Sequence, residues 1–184
     1  FEKNRPELKS ALPSHFIINM LLGDIVEAVF KGIMRAANVD FQDSDTVTLE
    51  TKHGSIKGSY DMVLDNRVDD IKSASDWSYR NKFKSFASLK ESDPFGYVGQ
   101  LAGYAQASGL KAGGWWVINK ANGSFKYIPA NGLDMVEEMY KIKKTALAVK
   151  SNKLERCFDA VDETFNGKKT GNKILGSECS WCSY

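Results

Sequence analysis

"YDMVLDNRVDDIKSAS", residues 60–75, decides how this chain is read. Its short apolar runs read as sheet core, yet Asp61, Asp70 and Lys72 stand among them. A buried carboxylate is costly unless something pairs with it, so these side chains either face water or hold a cation. Successive side chains of a strand point to opposite faces; Asp70 and Lys72 therefore share one face and Ile71 points to the other. Asp61 lies on the preceding strand and reaches the same spot if the two strands pair. Two carboxylates offering oxygen ligands suit Mg²⁺ or Mn²⁺. Such an ion polarises a phosphoryl oxygen and lowers the pKa of its bound water. For any one of these residues the plainer reading is a surface salt bridge, because charged side chains are mostly exposed.

Outward from this stretch, "DTVTLETKHGSIKGSYDMVLDN" alternates and is rich in Val, Thr, Ile and Tyr, which predicts two strands turning near His53-Gly54. "RVDDIKSAS" is a third strand, entered through a tight turn at Asp65-Asn66. Before them, Ser14 is placed to cap a long helix from about residue 15 to about residue 37, apolar on most faces and so expected to be buried. After them, residues 75–93 mix aromatics with Arg80, Lys82, Lys84 and Lys90 in a partly helical excursion, and Pro94 opens the next helix, to about Ser108. "GGWWVINKANGSFKYIPA" is a hairpin turning at Asn122-Gly123. Asn131 then caps a helix of about 20 residues, with Leu133, Val136, Met139 and Tyr140 at helical spacing. A short helix is expected beyond Asn152, before the cysteine-containing end. The order of elements predicts an α/β fold with a central mixed β-sheet flanked by helices.

The 184 residues suffice for one domain with a substantial core, and 42% apolar with 26% charged residues is ordinary for a globular protein. A net charge of +2 gives no global basic field, although a local patch can still attract nucleic acid. The richest apolar run, residues 16–34, is broken by Asn19, Gly23, Asp24, Glu27 and Lys31, so no membrane span is expected. Three cysteines argue against a disulfide scaffold and for a reducing, intracellular compartment. The chain begins at Phe1 and ends two residues after a cysteine pair, which suggests a piece of a longer protein.

"GSYD" followed nine positions later by "DIK" resembles the PD-(D/E)XK nuclease superfamily, and within it the RecB-like exonuclease branch of CRISPR-associated and phage nucleases. "LLGDIVEAVF" resembles that branch's helical motif, with Gly23 leading to Glu27; "QLAGY" matches its Gln-x-x-x-Tyr helix with Gln100 and Tyr104. The resemblance implies a restriction-endonuclease-like core spanning 1–184 as a single nuclease domain. It implies that Glu27, Asp61, Asp70 and the Ile71 carbonyl hold one or two Mg²⁺ or Mn²⁺, and that Lys72 orients or activates the attacking water. It implies phosphodiester hydrolysis at DNA ends in replication, repair or phage recombination, in the cytoplasm of a bacterial cell. A structure-specific endonuclease of the same fold and an inert DNA-binding or assembly subunit stay open beside it. Read alone, Glu27 is a solvated i,i+4 partner of Lys31, and Gln100 and Tyr104 are as well suited to a structural hydrogen bond as to a phosphate.

Trp77, Tyr79, Phe83 and Phe86 interleave with Arg80, Lys82 and Lys84, a composition that grips a nucleic-acid strand by stacking and charge; an amphipathic helix with core aromatics is the equal alternative. Lys141, Lys143, Lys144, Lys150 and Lys153 read as a solvated face. Cys179-x2-Cys182 has the metal-knuckle spacing of zinc sites, and the RecB-like resemblance implies an iron–sulfur cluster at such a C-terminal pair. A cluster needs four ligands; Cys157 lies too far from the pair in sequence to complete the set simply, so a cluster requires cysteines outside this chain, and free thiols are the alternative.

Overall fold

The computed structural model describes residue 11 and residues 14–151, 159–176 and 179. Its centre is a four-stranded mixed sheet with strand order β3-β4-β5-β6. β3 (Met62–Leu64) and β4 (Arg67–Ala74) form an antiparallel hairpin with Met62 opposite Asp69. Asp65 and Asn66 turn it, both at positive φ (50° and 58°), a conformation Asn and Asp tolerate best among residues with a side chain. β5 (Lys111–Asn119) runs parallel to β4, and β6 (Phe125–Pro129) closes the second hairpin antiparallel to β5. Both hairpin turns stand where the sequence places them.

The parallel β4–β5 pair requires a crossover, and the excursion after β4 supplies it. It contains α2 (Asp76–Arg80), a 3-10 turn (Lys82–Lys84), α3 (Phe86–Glu91) and α4 (Tyr97–Ser108). Pro94 does not open α4. The Asp93 carboxylate accepts the backbone N–H groups of Tyr97 and Val98 instead, satisfying two orphan donors of the first turn. α4 packs on the sheet face that carries Val68 and Ala74, with Trp115, Val117, Leu89 and Leu101 wholly buried. A buried tryptophan removes on the order of 200 Å² from water, worth about 5 kcal/mol.

α1 (Ser14–Ala36) covers the opposite face, where Phe30 and Met34 meet Met62, Ile71 and Ile118. The expected burial of α1 is not found. Ile18, Leu22, Ile25, Val29 and Ile33 are all at least 40% exposed; the four-stranded sheet is too narrow to cover more than one stripe of the helix. β1 (Asp45–Thr51) and β2 (Gly54–Tyr60) turn at residues 52–53 as expected, but pair only with each other, as a hairpin leaning on α4. Asp61 sits at the bend that separates β2 from β3.

α5 (Met135–Ser151) is capped by Asp134, whose carboxylate accepts from Val136 and Glu137, and not by Asn131. Met139 is buried on α5 while Val136 and Tyr140 face solvent, so the expected apolar stripe is only partly core. The tail holds a β-hairpin, β7 (Val161–Phe165) and β8 (Lys168–Ile174), turning at Asn166-Gly167. The short helix expected from about Asn152 falls mostly outside the described residues. Among the described residues no helix is long and apolar enough to cross a membrane.

Candidate active site

β4 passes beyond the end of β3 at Asp69, so its next residues have β5 on one side and an open edge on the other. Asp61 folds back into that edge: its Oδ2 accepts the Ile71 N–H at 2.6 Å. A strand residue sends its N–H and C=O to the same side, so the Ile71 carbonyl also leaves the β4–β5 ladder toward this edge. Asp70 and Lys72 share the α4 face of the sheet, as the alternation requires, with Lys72 Nζ 2.7 Å from Asp70 Oδ2. That contact is a buried ion pair, and Lys72 is the cation that Asp70 meets in the fold.

The electrostatics are those of two acids forced together. Burial first, and then the charge of Asp70, push Asp61 up to about 6. Burial raises Asp70 as well, against the attraction of Lys72. Burial works against the Lys72 ammonium, but Asp70 outweighs it and holds the amine above its ordinary value. Lys72 is therefore a cation at neutral pH. It can orient water or offset phosphate charge, and it does not act as a base in this state.

Tyr104 stands over the same pair from α4. Burial raises its phenol first, and the negative charge of Asp70 next. Gln100 Nε2 donates to Tyr104 Oη at 2.8 Å, the i,i+4 geometry expected on one helix face. The ring fits only because position 58 is glycine: a Cβ there would lie 2.7 Å from Tyr104 Cε1. Gln100 and Tyr104 also line a groove of about 970 Å³ between the β1–β2 hairpin, α4 and α5.

Glu27 does not join Asp61 and Asp70. α1 lies on the Ile71 face, where a Cβ at Gly23 would touch Ser73, whereas Asp70 and Lys72 face α4. Glu27 is instead bound to the buried Lys31 at 2.6 Å, the pairing that its i,i+4 spacing allows; Lys31 also meets Asp43 at 2.9 Å. Its charge is still felt at Asp70, where it adds to the upward push. Among the described residues no three His, Cys, Asp or Glu side chains gather into a metal cage, so the expected carboxylate triad is a pair.

The aromatic–basic segment divides. Phe83 is buried and Phe86 stacks on Trp115 at 5.8 Å, so both serve the core. Trp77 is 70% exposed. Arg80 is held by Asp76 at 2.8 Å, and the Tyr79 ring and carbonyl hold Lys126. Lys82 lies against Tyr97 beside the site. Cys179 is a half-buried free thiol; Cys157 and Cys182 lie outside the described residues.

One carboxylate was not singled out from sequence. Asp69, 2% exposed, accepts from the Gly114 N–H at 2.8 Å, Tyr127 Oη at 2.9 Å and Trp116 Nε1 at 3.1 Å. It stitches β4, β5 and β6 together directly beside the pair. Gly113 makes room for it, since a Cβ there would fall on Asp69 Oδ1.

No protein-family model matches the chain, and no curated protein matches its sequence. Solved structures similar to it include the following two. SSO0001 shares 16% identity and a TM-score of 0.47, covering 80% of this chain and 68% of its own. A protein from Eubacterium rectale with a provisional exonuclease name shares 16% identity and a TM-score of 0.43, covering 84% of this chain and 62% of its own. At that distance the likeness carries no weight for function, which rests on the residues themselves.

Proposed function

We propose that this chain is a metal-dependent DNA nuclease of the PD-(D/E)XK superfamily, RecB-like branch, hydrolysing phosphodiester bonds at DNA ends. The observation that carries the proposal is the convergence of Asp61, Asp70 and Lys72 at the open edge of β4, two acids held together by the fold with an ammonium beside them. Two acids buried against their mutual charge, with a single ammonium beside them, are a site that a cation completes. The donor set fits a hard divalent cation: two carboxylates and the Ile71 carbonyl, all oxygen. Asp61, Asp70 and the Ile71 carbonyl would hold Mg²⁺ or Mn²⁺. When bound, the ion offsets the charge of a phosphodiester and acidifies a water molecule.

The chain's own groups do the rest. The Lys72 ammonium donates to a phosphate oxygen or orients the attacking water, and Asp70 keeps it charged and in place. The Tyr104 hydroxyl and Gln100 amide, locked to each other, present donors to phosphate from the α4 side. Donors fixed before reaction cost no reorganisation when charge develops on the phosphate. An iron–sulfur cluster is a proposal only for a longer chain that supplies the missing ligands.

End-labelled linear DNA and covalently closed circular DNA, each with Mg²⁺, Mn²⁺ or EDTA, test this. Loss of linear DNA alone, with no cutting in EDTA, is the expected result. Nicked circles would make the chain an endonuclease, and binding without cutting would make it an inert DNA-binding subunit.

A further inference from the structure

Tyr97 touches two lysines. Its ring centroid lies 5.1 Å from Lys72 Nζ and 4.4 Å from Lys82 Nζ. The ring is fixed: it stacks on buried Phe83 at 5.9 Å and 25°, and its backbone N–H is capped by Asp93. Phe95, 5.9 Å from Tyr97, closes a second wall, with Lys82 Nζ 5.0 Å from its centroid. Lys72 has Asp70 as its counter-ion. Lys82 has no carboxylate at ion-pair distance among the described residues, although it is half-buried in this aromatic cradle. Burial holds its amine below the ordinary value, with only the more distant charge of Asp93 working the other way. A partly desolvated ammonium with aromatic faces alone for company is a site that an anion completes.

We propose that Lys72 and Lys82 form a paired phosphate site built on Tyr97, in which Lys72 meets the phosphate to be cut and Lys82 meets the neighbouring phosphate of the same strand. This rests on the nuclease reading above and names the group that holds the phosphate next to the cut. The two ammonium groups can be no farther apart than their two distances to the ring taken together, a separation that successive phosphates of one strand can match. Tyr97 is a positioning residue: it fixes both cations without touching the strand.

The test is binding, without cutting. A fluorescein-labelled single-stranded 20-mer is titrated with the intact chain in EDTA, by anisotropy, between 50 and 200 mM NaCl. One phosphate contact contributes about 0.7 to the slope of log K against log salt on a single strand. Lys82→Ala should weaken binding and flatten that slope by about this amount, while Lys82→Arg restores it; equal melting temperatures show that both variants fold. A scan of uncharged methylphosphonate linkages should find one position to which the wild-type chain is sensitive and Lys82→Ala is not. Lys84→Ala, at an exposed neighbour, should keep that sensitivity. An unchanged slope in Lys82→Ala, or unchanged sensitivity at every linkage, overturns the paired site and leaves the nuclease reading standing. A wild-type chain that binds no DNA overturns both.

Discussion

Replacing Asp61 by Asn should make the protein more stable and inactive at once. The carboxylate is driven to about 6 by burial and by Asp70, from 3.8 in an unfolded chain. A tenfold change in proton affinity is worth about 1.4 kcal/mol, so holding Asp61 ionised in the fold costs roughly 3 kcal/mol at neutral pH. The sign follows from the direction. A raised carboxyl loses nothing below its unfolded pKa of 3.8, where it is protonated in both states. It loses stability as pH rises from there through about 6, and the loss levels off above that. Asn keeps an oxygen to accept the Ile71 N–H and removes the charge. Urea unfolding in EDTA, at intervals from pH 4 to pH 8, should show the stability gain of Asp61→Asn over wild type growing by about 2–3 kcal/mol across this range and flat above pH 7. A difference that stays constant with pH, or that favours wild type increasingly as pH rises, would refute the claim that two acids are held together against their charge. This is the expected signature of a site whose geometry serves a cation at the expense of the fold.

Asp69→Ala leaves three buried donors, on Gly114, Trp116 and Tyr127, without an acceptor, and should lower stability by about 3–5 kcal/mol in urea unfolding; a loss below about 1 kcal/mol would show that Asp69 does not tie the strands together. Gly58→Ala pushes a Cβ into the Tyr104 ring, costing about 1–2 kcal/mol and moving the Gln100–Tyr104 pair off the site. Cutting by Gly58→Ala should therefore fall by an order of magnitude or more, with wild-type rates excluding a role for that pair.

The Asp-x-Lys strand was legible because a strand has a period of two, which puts Asp70 and Lys72 on one face whatever the rest of the chain does. The turns at Asp65-Asn66 and Asn122-Gly123 were legible because few residues accept positive φ. The same chemistry at Asn166-Gly167 is harder to see, because the polar and charged residues around Phe165 leave no apolar alternation. The role of Asp69 depends on partners 45 to 58 positions away, and the glycine that leaves room for it, Gly113, is equally remote in sequence. α1 departs from expectation for another reason. An apolar helix records that its faces prefer to be covered, and not whether the sheet beneath is wide enough to do it. Glu27 shows the same limit at the site: the Gly23–Glu27 spacing matches a motif, and the i,i+4 spacing to Lys31 matches an ion pair, and only the face on which α1 packs decides between them.

Whether Asp61 and Asp70 form a divalent-cation site is decided by a crystal soaked in Mn²⁺ and measured for anomalous scattering. A peak in contact with both carboxylates and the Ile71 carbonyl, lost in Asp70→Asn, is the expected result. A chain saturated with Mn²⁺ that shows no peak there, or a peak that persists unchanged in Asp70→Asn, would overturn the cation site and the nuclease built on it.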